Sequence, residues 1–101
     1  MNFVYDEALK EHMQRVGKRN VVVEMVTAET SDIEITELHV HLADDKRLAF
    51  LKEKMKRYRS YETEMGEVLF PAFPLQCKDE IHFWLKKFLC FKSVGYDGIK
   101  L

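Results

Sequence analysis

A chain of 101 residues, 47% of them apolar, is close to the modal domain length and long enough to bury a core of its own. Two prolines, four glycines and no repeat or low-complexity stretch exclude a linker-joined, solenoid or disordered organisation, so a single domain over 1–101 is expected. A net charge of −1 argues against a general polyanion binder and sets nucleic acid aside as a partner.

The opening residues Met1 to Glu7 lack the basic start and apolar stretch of a signal peptide, and no window has the length to span a bilayer. A cytoplasmic protein without a membrane partner is therefore expected, with Cys77 and Cys90 as reduced thiols outside any CxxC pair. Asn2 to Tyr5 alternates weakly, as a short edge strand does. Asp6 and Glu7 then place negative charge at a helix start, where the macrodipole favours it, and Leu9, Met13 and Val16 make an apolar stripe ending at Gly17. Asn20 to Thr27, reading NVVVEMVT, suits a strand buried on both faces.

Ile33 to Leu42 alternates, but its apolar parity changes from Ile33 and Ile35 to Leu38, Val40 and Leu42, which predicts a bulge or bend near Thr36 and Glu37. Asp44 or Asp45 can cap a second helix in which Leu48, Leu51, Met55 and Tyr58 recur on one face. Between Lys46 and Arg59 the bases Lys46, Arg47, Lys52, Lys54, Lys56, Arg57 and Arg59 are diluted by Glu53 alone, which reads as a solvated helix face or a contact for an anionic partner. Tyr58 to Glu64 and Glu67 to Phe70 flank a Met65-Gly66 turn as a hairpin, and Pro71 and Pro74 disfavour further central pairing. Glu80 to Val94 reads as a strand, with a short buried helix over Trp84 to Phe91 as the competing pattern, before a turn marked by Gly95 and Gly98.

In this order the chain resembles the HesB-like, A-type iron–sulfur carrier family over nearly its full length. The local matches are Asp6-Glu7-Ala8-Leu9, Val21 to Glu29, Lys86 to Ser93, and Gly98-Ile99-Lys100-Leu101, and the resemblance is to the branch that often carries a Cys-Cys pair after the VTAE-like strand. The resemblance implies an α+β, mainly β fold: a two-sheet sandwich with one or two helices, which the strand count and short connections also suggest. It also implies a cluster or iron held by one cysteine in mid-chain and a Cys-Gly-Cys near the end. Here the middle position reads Thr30-Ser31-Asp32, and the tail after Cys90 has no thiol, so the family's ligand set is missing.

Four residues stay as weak metal-ligand candidates: His39, His41, Cys77 and Cys90. His39 and His41, at i and i+2 of a strand, share a side and could face one metal, and His12, His82, Cys77 or a carboxylate such as Glu37 would have to converge on them to complete a site. With Leu38, Val40 and Leu42 opposite, the same histidines also fit a solvent face. Cys90, inside FLCF, reads as a small hydrophobe in the core, whereas Cys77 reads as accessible, with Lys78 placed to lower its pKa. The aromatic group Phe83, Trp84, Phe88 and Phe91 suits core packing, with part of it available to a homodimer contact.

No phosphate loop, nucleophile elbow or zinc spacing is present, so a non-catalytic protein is expected. The leading expectation is a HesB-like accessory or binding protein, related to iron–sulfur metabolism, with its cluster ligands lost, no bound cofactor and a protein partner. The alternatives are an iron or iron–sulfur carrier using substituted His and Cys ligands, and an anion or nucleic-acid binder acting through Lys52, Lys54, Lys56, Arg57 and Arg59.

Overall fold

A computed structural model describes residues 2–72 and 75–100, apart from the side chains of Ala28 and Phe88. Pro74 and Leu101 therefore lie outside the described residues. In chain order the elements are β1 (Asn2–Tyr5), α1 (Glu7–Val16), β2 (Asn20–Glu29), β3 (Glu34–Ala43), α2 (Asp45–Lys54), β4 (Tyr58–Glu62), β5 (Glu67–Pro71), β6 (Gln76–Phe88) and β7 (Phe91–Lys100). They form an α+β, mainly β sandwich of two mixed sheets, ordered β1-β6-β7 and β3-β2-β5-β4. The parallel pairs are β1 with β6 and β2 with β5, and the other neighbours run antiparallel.

The run Val21-Val22-Val23 is fully buried because the second sheet is covered on both sides at that point. Val21 and Val23 join Val68, Phe70, Ile81, Phe83, Tyr5, Leu9 and Met13 in the core between the sheets. Val22 instead packs with Ala43, Leu48, Leu51 and Leu69 beneath α2. Each such buried side chain contributes roughly 1.5–3 kcal/mol.

Helix α1 ends at Gly17, whose left-handed φ of 71° suits a residue without a β-carbon, and Lys18 N–H donates to the Met13 carbonyl. Leu9 and Met13 are buried, but Val16, expected on the same stripe, is 43% exposed because the helix end runs past the inter-sheet core. Helix α2 is capped by Asp44, whose side chain accepts from Arg47 N–H at 2.7 Å. It stops at Met55, so Tyr58 belongs to β4, where its hydroxyl accepts from Met25 N–H at 2.9 Å.

Three local expectations are corrected. The β2–β3 ladder runs in continuous register from Asn20 opposite Ala43 to Glu29 opposite Glu34, with no bulge at Thr36. The parity change arises because the outer half of this hairpin is exposed, Ile33 and Ile35 included, so no buried face selects its side chains. Glu80 to Val94 is neither one strand nor a helix: it contains the β6–β7 turn at Leu89 and Cys90. Gly95 and Gly98 lie inside β7. Gly95 sits beneath the Trp84 indole, and Gly98, at φ 96°, faces a register shift where an added Cβ would meet the Glu80 carbonyl oxygen at 2.4 Å.

At the α2 edge, Glu67 is held by Lys52 and by Ser60 Oγ at 2.5 Å, and these hydrogen bonds keep its carboxyl below the usual glutamate value. A depressed pKa in the folded chain stabilises it above the unfolded value of 4.5, and that contribution is lost as pH falls through the folded value. Acid unfolding followed by circular dichroism is expected to show a smaller loss of stability below about pH 4.5 in Glu67→Gln than in the parent, because the variant has no carboxylate there to protonate.

Candidate functional site

A concave feature combining apolar walls with ionisable groups lies where α1 meets the edge strands β3 and β7. It is a cavity of about 280 Å³. Its apolar lining is Val16 from α1, Val40 and Leu42 from β3, Leu85 from β6 and Val94 from β7. Its polar lining is His12, Lys18, His41, Lys92 and Ser93, with no carboxylate among the described residues that line it.

His12 is brought here by helical periodicity: it stands beside Met13 and three residues after Leu9, next to the buried stripe. Its Nδ1 is buried with no hydrogen-bond partner among the described residues. Burial, and then the positive charges of Lys92, Arg15, Lys18 and Lys87, hold the imidazole below the ordinary histidine pKa.

The four ligand candidates do not come together. His39 and His41 do share a side of β3, but each faces its own carboxylate: His39 Nε2 lies 3.2 Å from Glu37 Oε2, and His41 Nε2 lies 3.3 Å from Glu24 Oε2. His41 lines the cavity and His39 does not. His82 stands on β6 near Glu80, at 3.8 Å.

Cys77 pairs with Ile99 toward one end of the β6–β7 hairpin, and Cys90 sits in the turn that closes the other. Cys77 and Phe88 are eleven residue steps apart along β6, roughly 35 Å at the usual rise. Cys90 is exposed rather than packed, because the turn projects beyond the aromatic core. Cys77 is exposed too, yet partial burial pushes its thiol pKa up, the opposite of the lowering expected from Lys78.

The aromatic group divides in the same way. Phe83 is fully buried, stacked on Phe3 at 5.9 Å, Trp84 is half-buried on the opposite face, Phe91 is 69% exposed, and the Phe88 side chain is outside the described residues. No group of three or more His, Cys, Asp or Glu side chains suited to a metal ion occurs among the described residues.

No family model, curated protein or solved structure matches this chain.

The basic run is not one helix face: Lys46, Arg47, Lys52 and Lys54 lie exposed on α2, Lys56 and Arg57 follow its end, and Arg59 lies in β4. Lys52 pairs with Glu67, while the Arg47 guanidinium and the Lys54 ammonium lie 5.2 and 4.7 Å from the Phe50 ring centre. Among the described residues no helix is long and apolar enough to cross a membrane.

Sequence reasoning missed the cavity, because its walls come from four elements spread between His12 and Val94. The available signal was His12 itself, at i+3 from Leu9 and i−4 from Val16, a polar ring set into an otherwise apolar stripe.

Proposed function

We propose that this protein is a HesB-like domain that works by binding, as a non-catalytic accessory protein of iron–sulfur metabolism in the cytoplasm that does not itself hold the cluster. One observation carries the reading: the side chains that could replace the family's ligands diverge. Cys77 and Cys90 stand at opposite ends of the β6–β7 hairpin, and His39 and His41 are each engaged by a separate glutamate. A cluster needs several convergent thiolates or imidazoles at bonding distance of the same irons. The residues at the family's mid-chain cysteine position, Thr30 to Asp32, make the exposed turn of the β2–β3 hairpin, where Thr30 N–H donates to the Ile33 carbonyl at 2.8 Å. The α+β two-sheet sandwich is the fold that the resemblance implies.

The test is anaerobic expression with iron and sulfide supplied, followed by elemental analysis and a visible absorption spectrum. A colourless chain with far less than one iron is expected, and its metal content should not change in a His39→Ala/His41→Ala double variant. One iron or more per chain, lost in that variant or in Cys77→Ser, would overturn the reading. A cluster-loaded scaffold protein mixed with the metal-free chain should form a complex by sedimentation in which the absorbance stays with the scaffold. Free sedimentation of the two would remove the accessory role.

A further inference from the structure

We propose that the cavity between α1, β3 and β7 is a binding site for a small organic anion: a carboxylate carried on a short apolar body. Two independent features of the cavity specify the two halves of that ligand. Val16, Val40, Leu42, Leu85 and Val94 offer an apolar wall, and the volume of about 280 Å³ falls just below the usual range for small-molecule sites, roughly 300–1,000 Å³. A body of a few carbons matches that wall, and a cofactor-sized molecule exceeds it.

The polar side of the lining is one-signed. Lys18 and Lys92 are the lysines of the lining, and no carboxylate lines the cavity among the described residues. Glu24 is the nearby acid, and it is engaged with His41. His12 completes the arrangement, since a buried ring nitrogen with no protein partner is costly unless something accepts or donates to it. A neutral imidazole carrying its proton on Nδ1 donates to a carboxylate oxygen, and the four bases around it supply the attraction that brings an anion in. Apolar walls lower the local dielectric and strengthen each of these contacts. The site involves no metal and no cluster, so it stands or falls separately from the function proposed above.

The probe is hexanoate, with hexanamide as its neutral counterpart and inorganic phosphate as an anion without an apolar body, each titrated into the full chain while backbone and histidine ring signals are followed by NMR. Hexanoate is expected to bind saturably, with shifts centred on His12, Leu85, Ser93 and Val94. Hexanamide and phosphate are each expected to bind at least about ten-fold more weakly. Lys92→Gln should weaken hexanoate about ten-fold, whereas Lys56→Gln, outside the cavity lining, should leave it unchanged. Lys92 is exposed, so its loss leaves the core intact, and Lys18→Gln gives the same reading if the Lys92 variant folds differently. Equal binding of hexanamide would reduce the cavity to an apolar hole, and equal binding of phosphate would reduce it to diffuse positive charge. Either result, equal weakening by Lys56→Gln, or no saturable binding of hexanoate overturns the proposal.

Discussion

Replacing Phe83 by alanine is expected to destabilise the fold by about 3–5 kcal/mol, the largest effect of any single truncation in this core. Phe83 is fully buried and lies on the inner face of the central strand β6, where it contacts rings from β1. Its ring stacks on Phe3 at 5.9 Å and 4° and meets Tyr5 at 5.7 Å. Phe3 in turn packs edge-on against Phe70 of the opposite sheet at 6.2 Å, so this aromatic group joins the two layers. Deleting the ring removes its transfer free energy and leaves a cavity that three other anchored rings cannot fill by moving. Urea unfolding followed by the fluorescence of Trp84 measures the loss, with Phe91→Ala as the comparison. Phe91 is 69% exposed, and its truncation should leave the midpoint almost unchanged. Equal losses for the two variants would mean that the sheets do not pack through Phe83.

The second large effect is expected at Asn20, the one fully buried polar residue found among the described residues. Its Oδ1 accepts from Glu67 N–H at 2.9 Å, and its Nδ2 donates to Asp45 Oδ1 at 2.9 Å, so one amide joins the start of β2 to β5 and to the first turn of α2. Asp45 is also held by Arg19 at 2.8 Å, and these hydrogen bonds keep its carboxyl below the usual aspartate value. In Asn20→Ala the part-buried Glu67 N–H loses its acceptor, a loss of about 1–3 kcal/mol. Asp45→Ala should cost clearly less, because water replaces an exposed carboxylate. The same urea titration separates the cases, and an Asp45→Ala loss as large as that of Asn20→Ala would contradict the role given to the buried amide.

The β6–β7 turn shows why a local signal can mislead. A two-residue hairpin turn with a positive φ at its first position ordinarily selects glycine, yet here Leu89 holds φ 55°, a conformation that costs a residue with a β-carbon roughly 1–2 kcal/mol. FLCF carries no turn residue, so the segment read as continuous strand or helix. The ladder from His82–Asp97 to Phe88–Phe91 over-determines the turn. Conversely, Gly95 and Gly98 carry the composition of a turn but answer a steric demand inside a strand, one from the Trp84 indole and one from the Glu80 carbonyl. The reason for each glycine is a residue more than ten positions away.

By itself the sequence determined the features that depend on neighbours within one or two turns of chain. These are the α1 stripe closed by Gly17, the doubly buried VVV of β2, an aspartate cap for α2 at Asp44 or Asp45, the hairpin about Met65 and Gly66, and through them the α+β two-sheet class. Helical and strand periods and cap chemistry are short-range, so they can be read from one chain. Only the tertiary structure decided which edges meet, and with that the separation of Cys77 from Cys90, the engagement of His39 and His41 by different glutamates, and the convergence of His12, Lys18 and Lys92 on one cavity. Those relations follow from packing two twisted sheets and a helix against one another, a global balance of buried area that no local pattern encodes.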